Sequence, residues 1–189
     1  IPSAHVEMAK NYSLNCFINT FVKGDLGLKD IGLIVEDSKT HHALLIGCGL
    51  GTDIDTKRAA LMILAEVTVP VVIDAEALIP EILEVKKKSK WLLTPHKGEF
   101  KRVFGVDATE QSVFEMSKKH DLSILLKSPI DIIADKEEVY LNATGCSQMR
   151  VGGTGDALAG ICTSFISQGM NTFEAACAAA YYFGKAGED

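Results

Sequence analysis

Four short apolar runs recur along this chain, at residues 43–47, 70–74, 90–94 and 123–127, and each closes on a residue that turns the chain or can do chemistry: Gly47, Asp74, Thr94 and Lys127. A run that is apolar on every position suits a strand buried on both faces of a sheet. Helical patterns lie between the runs. Residues 53–67 place Ala60, Leu61, Leu64 and Val67 on one face, residues 77–88 read as a helix with Pro80 near its start, and residues 99–104 and 109–120 continue the series. Strands that alternate with helices predict an α/β layered fold with a largely parallel central sheet flanked by helices. Residues 130–134 and 139–142 read as a hairpin around Asp135-Lys136-Glu137, residues 154–167 and 172–185 as two apolar helices, and residues 15–22 and 31–35 as strands.

In such sheets ligands gather at the carboxyl ends of the strands. The candidates there are residues 47–51, Asp74, residues 94–99 and Lys127. The run Gly152-Gly153-Thr154-Gly155-Asp156 adds a glycine turn just before a helix. Glycines allow several N–H groups to converge, and the helix adds its positive end, so the loop is a pocket for an anion. Asp156 beside it is a carboxylate able to take a proton from a hydroxyl, which points to phosphoryl transfer to an alcohol. An aspartate there is also a common helix cap. The run is neither a P-loop, which needs Gly-Lys-Ser/Thr, nor a dinucleotide fingerprint.

The chain has 189 residues, 47% of them hydrophobic, enough for one domain with a sizeable core. A net charge of −6 argues against a general nucleic-acid binder. No apolar stretch is long enough to span a bilayer, so no membrane association is expected. Five scattered cysteines without a Cys-x-x-Cys pair argue against a zinc site and for free thiols in a reducing cytoplasm.

Thr94-Pro95-His96-Lys97-Gly98-Glu99 follows the third apolar run; His96 offers a donor and an acceptor at the strand mouth, and Glu99 suits a helix cap. Taken with Gly47-Cys48-Gly49-Leu50-Gly51, Asp74-Ala75-Glu76-Ala77-Leu78, Asn142-Ala143-Thr144-Gly145 and the Gly152–Asp156 loop, in that order, this set resembles the ADP- or ATP-dependent NAD(P)H-hydrate dehydratases. These are ribokinase-like enzymes that return hydrated NADH or NADPH to the usable cofactor. The match runs from about residue 43 onward, and the segment 9–13 matches less specifically. Thr-Pro-His-x-Gly-Glu discriminates this family from kinase relatives.

The resemblance implies a ribokinase-like domain over residues 1–189, cut short at both ends, and a lyase reaction through phosphorylation of the ring hydroxyl. Asp156 would be the catalytic base and contact the substrate together with Gly51 and His96. Gly153, Thr154 and Gly155 would form an anion hole. Lys127, Ser128, Pro129, Ile130, Asp131 and Gly155 would hold the adenine nucleotide. ADP or ATP, Mg²⁺ without a named protein ligand, a hydrated NADH or NADPH substrate and a homo-oligomer are the implied cofactors and partners. Asp74 reads as a structural residue that fixes a loop by accepting N–H bonds. A vitamin kinase for a thiazole, pyrimidine or pyridoxal alcohol shares the Asp156 loop, and a non-catalytic nucleotide-binding module is the other alternative. Three positions depart from the family pattern: Cys48 stands for proline, Glu76 for aspartate, and Ser128 for a glycine where backbone approaches nucleotide.

Overall fold

The apolar runs pair in chain order. In the computed structural model, which describes residues 24–149 and 151–188 together with Asn11, Ile18, Thr20 and Phe21, β1 (Leu44–Ile46), β2 (Val71–Ile73), β3 (Trp91–Leu93) and β4 (Ser123–Leu126) lie side by side and parallel. β5 (Asp131–Ala134) and β6 (Val139–Asn142) extend the same sheet antiparallel, as the hairpin pattern predicts.

Sequential parallel strands with crossovers of one hand force every crossover onto the same face. That face carries α2 (Ile54–Glu66), two short 3₁₀ turns (Ala75–Ala77 and Pro80–Glu84), α3 (Lys97–Phe104) and α4 (Glu110–His120). α1 (Ile31–Ser38) packs there too, beside α2. Ile63, Leu64, Ile73, Trp91, Leu93, Phe100 and Ile124 are its fully buried centre. The other face is left to the last two helices, α5 (Thr154–Ser167) and α6 (Thr172–Ala186), which cover Val72, Leu92, Leu125 and Ile133. The alternation Val71, Val72, Ile73 and Trp91, Leu92, Leu93 thus divides between two cores, as a doubly covered sheet requires. Small residues let α5 and α6 approach closely: Ala159, Ala175, Ala176, Ala179 and Ala180 are all buried there.

Two segments differ from expectation. Residues 31–35 belong to a helix, not a strand: Ile31, Ile34 and Val35 face the core while Leu33 is 56% exposed, a helical rather than alternating pattern. Residues 77–88 do not form a helix. The residue before proline avoids the helical region, and Ile79 is extended (φ −119°, ψ 153°) ahead of Pro80, so only a 3₁₀ turn follows. The strand expected at residues 15–22 falls largely outside the described residues, as does the segment 9–13 apart from Asn11. Among the described residues no helix is long and apolar enough to cross a membrane.

Gly47 is where the first two strand ends close. Its φ is +129°, and a Cβ there would lie 1.8 Å from the Asp74 carbonyl oxygen. Gly47→Ala is therefore expected to destabilise the fold by roughly 2–5 kcal/mol through backbone strain and overpacking, read as a lowered urea midpoint; an unchanged midpoint would show that this approach is not needed.

Candidate functional site

The parallel strands all deliver their carboxyl ends to one edge of the sheet, and the first turn of α5 caps the same edge. Asp74 follows β2 and is only 1% exposed. A carboxylate so deep needs partners. Its Oδ1 accepts from Thr94 Oγ1 at 2.8 Å and from Lys127 Nζ at 2.7 Å. Its Oδ2 faces the Cys48 thiol at 3.7 Å. The expected role is corrected here: among the described residues the carboxylate takes a hydroxyl, an ammonium and a thiol rather than backbone N–H groups.

Lys127 follows β4, its N–H donating to Pro95 O at 2.8 Å, with His96 bridged alongside. Its Nζ lies 3.2 Å from where a Cβ on Gly155 would stand, so the ammonium sits directly against the first turn of α5. Gly153 caps that helix with φ +90° and offers no side chain. Asp156 is exposed in the first turn and is not the cap of this helix. Thr154 N–H turns back to Val151 O at 3.4 Å, whereas the N–H groups of Gly153 and Gly155 have no partner among the described residues.

His96 is the N-cap of α3. Its Nδ1 accepts from Gly98 N–H at 3.0 Å and Glu99 N–H at 3.1 Å, and Glu99 accepts in return from His96 N–H at 2.8 Å. The neutral ring then carries its proton on Nε2, on a side chain that is 60% exposed. One ring nitrogen of His96 is thus structural, and the other, Nε2, lies 3.5 Å from Glu99 Oε1.

A cleft of about 680 Å³ opens beside these groups. It is lined by His96, Lys127, Ser128, Pro129, Asp131, Thr154 and Gly155, which the sequence singled out, and its volume suits a small-molecule ligand. Gly51, Ile130, Gly153 and Asp156 do not line it. Gly51 lies in the exposed loop after β1, with φ +85°, on the side where Cys48 approaches Asp156. Ile130 is exposed, its carbonyl accepting from Ser128 Oγ. That bond folds the Ser128 side chain into its own turn, and Ser128 N–H donates to Asp131 Oδ1 at 3.0 Å. Asp131 also accepts from Asn142 Nδ2 at 3.1 Å, and burial holds its pKa above the usual carboxylate range.

The far wall was not foreseen. Thr144, Gly145, Cys146, Met149, Ala180, Phe183 and Gly184 complete the cleft. Thr144 docks on the end of α6, its Oγ1 donating to Asn142 Oδ1 at 2.9 Å, and a Cβ on Gly184 would stand 2.1 Å from that hydroxyl. The usable signals were the Asn142-x-Thr144-Gly145 motif and a lone glycine in an alanine-rich helix.

Cys48, Asp74 and Asp156 each bring one candidate ligand atom within 4.8 Å of the others. They do not fit a resident Mg²⁺, which demands hard oxygen donors in octahedral array. Burial first, then the charges of Asp74 and Asp156, push the Cys48 thiol up to about 12, so it stays S–H, and Lys127 already holds Asp74 Oδ1.

This three-layer architecture is the ribokinase-like fold. The chain superposes on a ribokinase-like superfamily protein from Enterococcus faecalis V583 with a TM-score of 0.75 at 28% identity, covering 84% of this chain and 59% of that one. It is also similar to the ADP/ATP-dependent NAD(P)H-hydrate dehydratase of Bacillus subtilis co-crystallized with ATP/Mg²⁺, with a TM-score of 0.68 and 30% identity, covering 76% and 53%. The family described as NAD(P)H-hydrate dehydratase matches residues 4–189, and the chain belongs to that family. Among curated relatives it is 39% identical over 153 residues to the ADP-dependent (S)-NAD(P)H-hydrate dehydratase of Cenarchaeum symbiosum, covering 76% of this chain and 52% of that protein. The chain thus spans about half the length of these dehydratase relatives.

Two outcomes follow from the local geometry. His96→Ala removes the α3 cap and is expected to cost about 1 kcal/mol, whereas His96→Asn keeps a cap acceptor and stays within about 0.5 kcal/mol of the parent; equal melting of the two variants would deny the cap. Cys48, Cys162 and Cys177 are each raised from 9.0 to about 12, chiefly by burial. Between those values the folded chain keeps protons that the unfolded chain releases, so stability falls as pH rises from about 9 to about 12. Fluorescence of the sole tryptophan, the buried Trp91, reads this alkaline unfolding, and a denaturant midpoint that holds steady across that window would contradict it.

Proposed function

We propose that the chain carries out nucleotide-dependent dehydration of hydrated NADH or NADPH. The observation that carries this reading is the meeting, in one cleft, of the Thr94–Glu99 turn with Lys127 and the glycine-capped first turn of α5. Membership of the dehydratase family supports it. ADP or ATP would lie in the cleft with its phosphates toward Gly155 and Lys127, held along Ser128, Pro129, Ile130 and Asp131. Any Mg²⁺ would arrive on the nucleotide's phosphates and water.

The ring hydroxyl of the hydrate attacks the terminal phosphorus as Asp156 takes its proton, and the bond from phosphorus to the leaving nucleotide breaks. Backbone N–H groups of Gly153 and Gly155, joined by that of Thr154 on leaving Val151 O, would meet the charge on the transferring group. The ring carbon–oxygen bond then breaks, phosphate departs with the electron pair, the adjacent ring carbon gives up a proton to water, and its C–H electron pair restores the double bond. Phosphate is a far better leaving group than hydroxide, which is why a nucleotide is consumed. His96, through Nε2–H, and Gly51 contact the hydrate.

Incubation with hydrated NADH and ADP or ATP is expected to restore the absorbance of the reduced cofactor. Asp156→Asn should lower that rate by about 100-fold or more while nucleotide affinity stays within a few fold. Near-parent turnover in this variant would remove Asp156 as the base. Nucleotide consumption only with a vitamin alcohol would point to a kinase instead.

A further inference from the structure

We propose that Asp74 is a positioning residue that draws the Lys127 ammonium beneath the first turn of α5, so that the cation and the helix terminus act on one phosphate. This rests on the reading above and deepens it. Lys127 leaves the end of β4, and Asp74 leaves the end of β2, with β3 between them. A lysine at a cleft mouth ordinarily extends toward water. Here the side chain crosses the end of β3 to meet Asp74 Oδ1 at 2.7 Å, and only 20% of it is exposed. Thr94, from the end of β3 itself, donates to the same oxygen at 2.8 Å and fixes its direction.

The destination of the ammonium is unusual. It stands against Gly155, 3.2 Å from a would-be Cβ, at the positive end of α5. A cation beside a helix N-terminus is repelled unless an anion lies between them. Asp74 is the tether that holds the cation there, and a ligand phosphate is the anion that both positive groups would share. Gly155 matters twice in this arrangement, by leaving room for the ammonium and by presenting an N–H without a partner among the described residues.

Three roles for Asp74 predict different signs. A carboxylate that merely neighbours Lys127 weakens anion binding, so its removal would tighten ADP. A purely structural carboxylate would, when lost, weaken ADP and adenosine alike. A positioning carboxylate would, when lost, weaken ADP and spare adenosine, which has no phosphate. Calorimetric titration of ADP and NMR titration of adenosine into the parent and Asp74→Asn separate them. The expected result is about tenfold weaker ADP binding in Asp74→Asn, with adenosine affinity within about twofold. Unchanged or tighter ADP binding overturns the inference, and so does an equal loss for both ligands. Should Asp74→Asn fail to fold, Thr94→Val loosens the carboxylate without removing a charge and is expected to show the same split at about two- to threefold; no split in that variant overturns the inference. A parent chain that binds no ADP overturns the parent reading and this inference together, whereas parent binding with no split in the variant overturns this inference alone.

Discussion

The site hangs on one buried carboxylate. Asp74 is nearly sealed from water, and an unpaired charge at that depth would be untenable. Its partners come from three different strand ends: Cys48 after β1, Thr94 after β3 and Lys127 after β4. Satisfying Asp74 therefore draws four consecutive strand ends together, and Gly47, which can carry no side chain against the Asp74 carbonyl, lets the first of them close. Breaking such a pair by removing one partner generally costs about 3–5 kcal/mol, because the other charge stays buried. The same contacts that hold the edge of the sheet thus hold the chemistry of the cleft.

The division of helices between the two faces explains where that chemistry can open. Crossovers placed on one face leave the other to α5 and α6, whose alanines bring them close to the sheet. α5 then starts above the strand mouths, with its glycine-capped first turn over Lys127. The end of α6 and the Thr144 loop, meeting at Gly184, supply an apolar wall of Met149, Ala180 and Phe183. The cleft thus has a charged floor and an apolar wall. A second cavity, about 220 Å³ at the opposite end of the strands around Trp91 and Ser123, holds none of these motif residues.

Much of this was legible in the residues. The four buried strands announce themselves because a doubly covered sheet leaves no polar alternation, and α5 and α6 because small apolar residues repeat at helical spacing. Strand polarity alone puts residues 47–51, Asp74, the Thr94–Glu99 turn and Lys127 at one edge of the sheet, where the structure has them. What stayed hidden was relational. Residues 31–35 are too short an apolar run for periodicity to separate strand from helix, and only the exposure of Leu33 decides it. Nothing in Pro70–Asp74 tells whether the terminal carboxylate will meet a backbone amide or a lysine from two strands away. The cleft wall depends on the docking of a loop onto a helix 36 or more residues later, a contact with no local signature.

Of the three positions singled out as departures in the sequence, Ser128 and Cys48 have hydrogen-bond partners, whereas Glu76 keeps a buried Oε2 with no partner among the described residues. Ser128 stands where a glycine would leave bare backbone, yet its hydroxyl is spent on the Ile130 carbonyl, so the turn keeps a smooth face toward the cleft. Cys48 stands where a proline would offer no donor. Its thiol, held protonated by burial and by the two carboxylates beside it, directs S–H at Asp74 Oδ2. A protonated thiol between Asp74 and Asp156 carries no charge of its own and supplies a donor where two like charges face each other. Proline there would leave that oxygen of Asp74 without the thiol and bring the repulsion between the carboxylates forward. The substitution therefore serves the buried carboxylate on which the strand ends depend, and does so without adding a nucleophile to the site.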